Sequence, residues 1–406
     1  KDVSPETIVK LAEIYERQRR LAEATDLADR ALRLDGVCAP ALLLRAKLYR
    51  QAGQSSEAEK LLRPFLHSTA EPSLRAQGWY ELGGLLDRQG RYDEAMMAFL
   101  EAKTLLSPKA GPHLAELKIV RARLEIMKAS LSVERLQRWL DCASALSPPH
   151  RVTLLGGHPR SGTTLLEQVL DSHPDVISLE ETTIFHDDAY MPLTRKLPDD
   201  TPMLPVLEAA STEALRQSRA NYFRSAELFL CQPIGDRLLI DKNPSLTFLI
   251  PLLLRVFPEI KLLVALRDPR DVVLSCFMQN MPLNQGSSAY LTLESAVVEY
   301  AAMMSLWQTL KPMLEGRYLE VRYEDMVADL EPVARRTLDF LGVPWDARVL
   351  GFDKHARQKV VRSPTYADVT QPVYKRAVGR WHHYQKYMEP HLPKLEAFAK
   401  AFGYEV

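Results

Sequence analysis

The stretch "LLGGHPRSGTTLLEQVL" (154–170) joins an apolar run, a glycine-rich turn and the start of a helical pattern. Gly157 and Gly162 are separated by four residues, and two threonines follow directly. This spacing is typical of loops whose backbone N–H groups and following helix N-terminus surround a phosphate. A nucleoside-triphosphate loop places lysine where this chain has Thr163, and the cation here is Arg160, inside the loop. The pattern therefore predicts a site for a phosphate ester less highly charged than a magnesium-bound triphosphate.

Further cationic and hydroxyl side chains stand where other apolar runs end. Arg267 follows the run "IKLLVAL", and Ser275 lies in the helical stretch after it. An arginine and a helical hydroxyl at this spacing can bind a second phosphate oxyanion. Lys242 ends the run "LLID" and can neutralise charge on a group in transfer.

The elements that must position these residues alternate from Arg151 onward. Four apolar runs read as buried strands with polar carboxyl ends: "RVTLLGG", "RLLIDKNP", "IKLLVALRDPRD" and "RYLEVRYED". Helical patterns between them cover 164–170, 246–256 and 293–310. This alternation predicts an α/β domain with a mainly parallel sheet, whose strand ends gather their polar residues at one edge. The segment 184–235 reads as irregular and proline-rich, suited to a lid or an acceptor wall.

The first part of the chain repeats a helical unit. Ala24, Ala58 and Ala95 recur at intervals of 34 and 37 residues, and Trp79-x2-Leu82-Gly83 precedes the third. These features resemble the tetratricopeptide repeat, which has a period of about 34 residues. We predict about three repeats over 1–110, a helical linker over 111–149, and the α/β domain over 150–406. A groove of such repeats is suited to docking a protein or peptide partner, or serves as a spacer.

Composition excludes several classes of protein. The chain has 406 residues, with 52 Lys plus Arg and 52 Asp plus Glu, so no global field favours nucleic acid or an acidic membrane. No apolar stretch is long enough to span a bilayer. The four cysteines form no metal-ligand spacing or disulfide framework, which favours a reducing, cytoplasmic location. The chain starts at Lys1 rather than Met, which leaves room for a removed upstream segment.

Four segments together resemble a sulfotransferase. "PRSGTTLLEQVLDSHPDVISLEET" is similar to the family's 5′-phosphosulfate loop, and "LRDPRDVVLS" to its 3′-phosphate segment. "YLEVRYEDMVADLEPVARRTLDFLGV" and "TQPVYKRAVGRWHHY" resemble the later strand–helix and the segment that closes over the nucleotide. The resemblance spans roughly 152–400 and is greatest to tyrosylprotein sulfotransferases and to bacterial sulfotransferases fused to tetratricopeptide repeats.

The resemblance implies 3′-phosphoadenosine 5′-phosphosulfate (PAPS) as donor and no required metal. It assigns donor binding to these residues: Arg160, Ser161, Gly162, Thr163, Thr164, Arg267, Ser275, Tyr323, Thr365 and Arg380. Ser363 is an alternative to Thr365 as the late hydroxyl contact.

The resemblance also implies the catalytic residues. Glu181 stands 21 residues after Arg160, the family's spacing for the base that removes the acceptor proton. Lys242 matches the lysine that stabilises charge on the bridging oxygen, and Arg160 also faces the sulfuryl group. Glu181 as a helix cap and His186 as the base are the alternatives.

The acceptor is less well determined. We expect transfer to a hydroxyl, with tyrosine of a peptide or protein as the leading acceptor. Thr183 replaces an arginine of the tyrosylprotein enzymes, so acceptor contacts differ. Gln279 replaces an arginine that contacts the nucleotide in those enzymes. The alternatives are a small phenol, alcohol or glycan as acceptor, and a non-enzymatic repeat scaffold.

Overall fold

The structure is a computed structural model that describes residues 3–68, 70–146, 148–195, 201–358, 369–371 and 373–405. The chain divides into two compact units. The smaller unit comprises Lys1–Leu117, Val273–Ala296 and Arg380–His391. The larger unit comprises Lys118–Val272, Val297–Gly379 and Leu392–Val406.

The N-terminal part of the smaller unit consists of consecutive helices that pack in pairs. They are α1 (Pro5–Arg17), α2 (Leu21–Leu34), α3 (Ala39–Gln51), α4 (Ser55–Leu66), α5 (Pro72–Arg88) and α6 (Tyr92–Leu106). Ser4 caps α1 by accepting the N–H of Thr7, and a proline in the first turn pre-sets the backbone. The repeated Ala24, Ala58 and Ala95 are buried, because small side chains let paired helices approach. The predicted repeat architecture is confirmed.

Fifteen further α-helices follow in the described part of the chain. They are α7 (Gly111–Ser130), α8 (Val133–Asp141), α9 (Thr163–Asp171), α10 (Met191–Thr194), α11 (Met203–Ala209), α12 (Thr212–Leu230), α13 (Ile250–Val256), α14 (Pro269–Met278), α15 (Gln285–Ser288), α16 (Leu293–Leu310), α17 (Tyr323–Ala328), α18 (Leu330–Leu341), α19 (Phe352–Gln358), α20 (Gln385–Met388) and α21 (Leu392–Ala401). Within the described residues, no helix has the length and apolar character needed to cross a bilayer.

The smaller unit also includes segments distant in sequence from the repeats. Asp87 of α5 accepts a hydrogen bond from Arg380 Nε at 3.1 Å and one from the Tyr384 hydroxyl at 2.7 Å. The Lys103 ammonium of α6 lies 4.9 Å from the ring centroid of Phe277. Segments that the sequence analysis assigned to the α/β domain therefore pack with the repeat helices.

The larger unit is built on a five-stranded parallel sheet in the order β2-β3-β1-β4-β5. The strands are β1 (Val152–Gly157), β2 (Val176–Leu179), β3 (Leu238–Lys242), β4 (Lys261–Leu266) and β5 (Tyr318–Arg322). The four predicted strands and the parallel sheet are confirmed. β2 was not predicted, because four residues are too few to show a period.

A core cluster fills the face of the sheet that α9 and α18 cover. Its members include Leu155, Leu166, Val169, Leu170, Ile240, Leu263, Val321 and Leu338. This packing seats α9 against the strands directly after the glycine-rich loop, so the loop begins and ends on rigid elements.

The reading of 184–235 as irregular was wrong in its second half. α12 is a 19-residue helix, capped at Ser211, which accepts the N–H of Ala214. Its buried face contains Ser218 and Arg219 between apolar residues, which hides the helical stripe in the sequence. Arg219 is tolerated there because its guanidinium pairs with Glu259 at 2.6 Å.

The predicted helix 246–256 is also divided. A 3-10 helix covers Pro244–Leu249, and α13 begins only at Ile250. Prolines near both starts cannot donate to a preceding helical turn, which favours a break between the two segments.

Candidate active site

The loop between β1 and α9 has a backbone that only particular residues adopt easily. Gly157 has φ +124°, and a Cβ there would lie 2.4 Å from the Ala265 carbonyl oxygen. Gly162 has φ +94°, and a Cβ there would lie 2.7 Å from Tyr323 Cδ2. Arg160 also has a positive φ of 73°. These left-handed residues curl the loop tightly ahead of α9, as an anion-binding turn requires.

A threonine that the sequence analysis missed braces the start of this loop. The buried Thr247 hydroxyl accepts from the Gly157 N–H and donates to the Gly157 carbonyl, both at 2.9 Å. The two residues are 90 positions apart, so no local pattern could have signalled the contact.

Seven of the ten predicted donor-binding residues lie in the loop or pack against it. Arg267 Nη1 donates to the Arg160 carbonyl oxygen at 3.2 Å, and its guanidinium lies 5.0 Å from the Tyr323 ring centroid. The Tyr323 ring in turn packs on Gly162. The buried Ser161, Thr163 and Thr164 lead into the first turn of α9.

Arg267 also meets the segment before Gly379. Its Nη2 donates to the carbonyl of Ala377, and it forms an ion pair with Asp271 at 3.7 Å. Asp271 accepts the N–H of Gly379 at 2.8 Å. A single buried arginine thus connects the loop, Tyr323 and this late segment. The sequence analysis did not identify Asp271 as one of its partners.

Two of the three predicted catalytic side chains are in direct contact. Lys242 Nζ lies 2.9 Å from Glu181 Oε1, although the residues are 61 positions apart. The Lys242 side chain is fully buried, whereas that of Glu181 is 44% exposed. Lys242 pairs in register with Leu155 of β1, two residues before Gly157. The ammonium–carboxylate pair therefore stands at the same sheet edge as the loop.

A second carboxylate, also missed, faces the same ammonium. Glu167 of α9 is fully buried, with Oε2 3.4 Å from Lys242 Nζ, and its Oε1 accepts the Ser178 hydroxyl at 2.6 Å. Burial by itself lowers the pKa of Lys242, but Glu167 and then Glu181 outweigh it, so the pKa lies above its ordinary value. Lys242 is therefore charged at neutral pH.

Asp241 points to the opposite face of β3. It accepts the Tyr222 hydroxyl at 2.8 Å, and both side chains are buried. Burial raises the pKa of Asp241 to about 7, although the Tyr222 hydrogen bond and the Lys242 charge act to lower it.

The histidines near the loop are engaged elsewhere. His158 Nδ1 donates to the Pro159 carbonyl oxygen at 2.8 Å, and burial lowers the pKa of His158 to about 4. The exposed His186, the alternative base, lies 2.8 Å from Asp187 Oδ1. Of the two candidate bases, Glu181 is the one whose side chain contacts Lys242.

Of the three remaining predicted donor-binding residues, two are assigned to the smaller unit and one lies outside the described residues. Ser275 and Arg380 belong to the smaller unit, where Arg380 Nη2 pairs with Asp87 at 2.9 Å. Thr365 and its alternative Ser363 lie outside the described residues. Donor binding by these residues stays a prediction.

Two protein-family models match parts of this chain. The family model described as "Sulfotransferase family" matches residues 153–347, which hold the loop and, except for Val152, all five strands of the sheet. This segment is therefore similar to the sulfotransferase family. The family model described as "Tetratricopeptide repeat" matches residues 43–111.

The sulfotransferase domain also has similar individual proteins. A protein-tyrosine sulfotransferase of Drosophila melanogaster is 27% identical over 242 residues, which cover 56% of this chain and 46% of that protein. An uncharacterized Aquifex aeolicus (strain VF5) protein is 27% identical over 367 residues, covering 85% of this chain and 45% of that protein. The chain thus spans about half the length of these relatives. Among solved structures, the sulfotransferase domain from the Synechococcus PCC 7002 olefin synthase is 24% identical, with a TM-score of 0.45, covering 64% of this chain and 97% of that chain.

Proposed function

We propose that the sulfotransferase domain transfers the sulfuryl group of PAPS to an acceptor hydroxyl. The observation that carries this proposal is the contact of the buried Lys242 ammonium with the half-exposed Glu181 carboxylate, at the sheet edge where the loop begins. A cation that neutralises a leaving oxygen and a carboxylate that takes a proton are the two groups that sulfuryl transfer to a hydroxyl needs.

Donor binding follows from the loop. The curled backbone of Gly157–Thr164 offers N–H groups and the start of α9 to the 5′-phosphate. A Cβ at Gly162 would meet Tyr323, so the fit of loop and ring depends on glycine. Arg267, with Ser275, would bind the 3′-phosphate that distinguishes PAPS from ordinary nucleotides.

The transfer step can be written with these residues. The acceptor oxygen attacks sulfur, the bond between sulfur and the phosphate oxygen breaks, and adenosine 3′,5′-bisphosphate leaves. Glu181 accepts the acceptor's proton, since a phenol titrates near ~10 and needs a base at neutral pH. Lys242 and Arg160 stabilise the negative charge that develops on the leaving oxygen.

We propose tyrosine of a peptide or protein as the acceptor. The support is the set of relatives whose names state protein-tyrosine sulfotransferase, together with a repeat module of a kind that binds protein partners. A cytoplasmic location also stays a prediction, based on the cysteine pattern, and cell fractionation would test it.

The experiment incubates the full chain with sulfur-labelled PAPS and tyrosine-containing peptides. We expect labelled peptide from the wild type, and almost none from Glu181→Gln, whose amide cannot accept the proton. Glu227→Gln, a carboxylate of α12 that accepts the Ile234 N–H, is the matched control and should retain transfer. Transfer to a phenol or glycan but to no peptide would show that the acceptor is a small molecule or glycan instead. Absence of adenosine 3′,5′-bisphosphate binding would refute PAPS as the donor.

A further inference from the structure

The ammonium of Lys242 has two carboxylate partners that differ in burial. Glu181 contacts it at 2.9 Å with a 44% exposed side chain, and Glu167 lies 3.4 Å away with none of its side chain exposed. Glu180 is buried near the same ammonium and adds to its electrostatic stabilisation. The exposed carboxylate can rotate toward an incoming acceptor, whereas the buried one is enclosed on every side.

The buried carboxylate is also held in place. The Ser178 hydroxyl of β2 donates to Glu167 Oε1 at 2.6 Å, which leaves Oε2 facing Lys242. Glu167 is in the first turns of α9, four residues after Thr163. One helix therefore begins at the phosphate loop and supplies the fixed counter-charge of the lysine.

The proposed chemistry explains why Lys242 needs two carboxylates of different burial. A base that takes the acceptor's proton becomes neutral and no longer balances the lysine. A fully buried ammonium that loses its only counter-charge is strongly destabilised and tends to release its proton. A second, permanently buried carboxylate prevents that loss during the step in which the ammonium is needed.

We infer that Glu167 is a positioning residue, which keeps the Lys242 ammonium charged and aimed at the reacting group while Glu181 exchanges its lysine contact for the acceptor's proton. This inference rests on the proposed function. Glu167 acts through Lys242 and does not itself meet the donor or the acceptor.

The principal test is Glu167→Gln in the full chain, assayed with PAPS and a tyrosine peptide. We expect kcat to fall about 10- to 100-fold, with donor KM within about twofold, because the change weakens charge stabilisation in the transfer step. The alkaline limb of the pH profile should move to lower pH, because Lys242 loses its buried counter-charge. Glu167→Asp should restore part of kcat. Gln168→Met is the matched control, since this neighbour on α9 is also buried but its amide atoms have no hydrogen-bond partner among the residues that the structure describes.

A mutant cycle keeps the inference testable if Glu167→Gln folds poorly. Lys242→Met alone strands a buried carboxylate, so adding Glu167→Gln should raise the melting temperature of that variant. In the same background, Glu167→Gln should have little further effect on kcat. Additive effects of the two substitutions on the melting temperature and on kcat would overturn the inference. An unchanged pH profile in Glu167→Gln would also overturn it.

The two proposals fail differently. If the wild type binds no adenosine 3′,5′-bisphosphate in calorimetry, the proposed function itself is refuted. If the wild type binds it and transfers sulfate, but Glu167→Gln has the kcat and pH profile of the wild type, only the positioning role is refuted.

Discussion

At the scale of single residues, Lys242 combines two roles that a substitution cannot separate completely. Its ammonium is fully buried between carboxylates, so it stabilises the fold as well as the proposed transfer step. A substitution that removes the ammonium also removes the counter-charge of the buried Glu167 carboxylate, and this loss is its main energetic cost.

We predict that Lys242→Met lowers kcat by about 10²- to 10³-fold and lowers the free energy of unfolding by about 3–5 kcal/mol. Turnover and chemical denaturation measure the two effects. Lys311→Met removes a partly exposed ion pair with Glu320 and should cost no more than about 1 kcal/mol, with kcat unchanged. Equal stability losses in the two variants would contradict the buried arrangement.

The raised pKa of the buried Asp241 leads us to predict that the free energy of unfolding depends on pH. The folded protein keeps this proton up to about pH 7, and the unfolded chain only up to about pH 4. Between these values the folded state binds more protons, so the contribution of Asp241 to the free energy of unfolding falls as pH rises.

Asp241→Asn should therefore gain stability relative to the wild type as pH rises from about 4 to about 7, by up to a few kcal/mol. Urea unfolding at a series of pH values measures this difference. Tyr222→Phe removes a hydrogen bond that lowers the Asp241 pKa, so it should extend the window upward. A difference between Asp241→Asn and wild type that is constant with pH would refute the assignment.

At the scale of elements, the loop depends on backbone geometry more than on its side chains. Gly162 combines a left-handed φ with close contact to Tyr323, so a methyl group there has no room. The same loop is seated by β1 on one side and α9 on the other, which limits its ability to relax.

We predict that Gly162→Ala weakens binding of adenosine 3′,5′-bisphosphate at least tenfold, because the loop must distort to admit the Cβ. Titration calorimetry measures the affinity. Gly84→Ala lies in the interior of α5, where no described atom outside the neighbouring helix backbone lies within 4 Å of the new Cβ. It should leave the affinity unchanged and stabilise the helix by about 0.5–1 kcal/mol. Wild-type affinity in Gly162→Ala would argue against phosphate binding by this loop.

The contact between α5 and the late segment 380–391 is a second feature at this scale. Asp87 binds Arg380 and Tyr384 together, with both partners largely buried. We predict that Asp87→Ala accelerates amide hydrogen exchange of 380–391 at least tenfold. Asp93→Ala, which removes an exposed pair with Lys386, is the control and should have little effect. Equal exchange in the two variants would show that Asp87 does not anchor the segment.

At the scale of the whole molecule, the repeat helices do not form a compact unit by themselves. Val273–Ala296 and Arg380–His391 belong to the same compact unit as the repeat helices. Lys103 against Phe277 and Asp87 against Arg380 are examples of the packing that holds them there.

We therefore predict that deletion of 1–110 destabilises the remaining chain and weakens donor binding, in addition to any loss of partner capture. Thermal unfolding and calorimetry with adenosine 3′,5′-bisphosphate measure these effects. A truncated chain with wild-type stability and donor affinity would show that the repeats act only in docking.

The amino-acid sequence by itself determined the elements and the chemistry of the loop. Four strands, the repeat helices and the curled turn at Gly157–Gly162 follow from periodicity and turn residues, which depend on near neighbours in the chain. Glu181 and Lys242 were identified through family resemblance, and their contact followed from the parallel sheet.

Only the tertiary structure decided which partner each polar residue lies against. Glu167 reads in sequence as an ordinary polar residue of a helix, and burial against Lys242 makes it part of the site. Thr247 and Asp87 likewise gained their roles from partners 90 and 293 positions away. Such contacts depend on strand register and helix packing, which local patterns do not encode, because a periodic pattern specifies a face of an element but not what comes to lie against it.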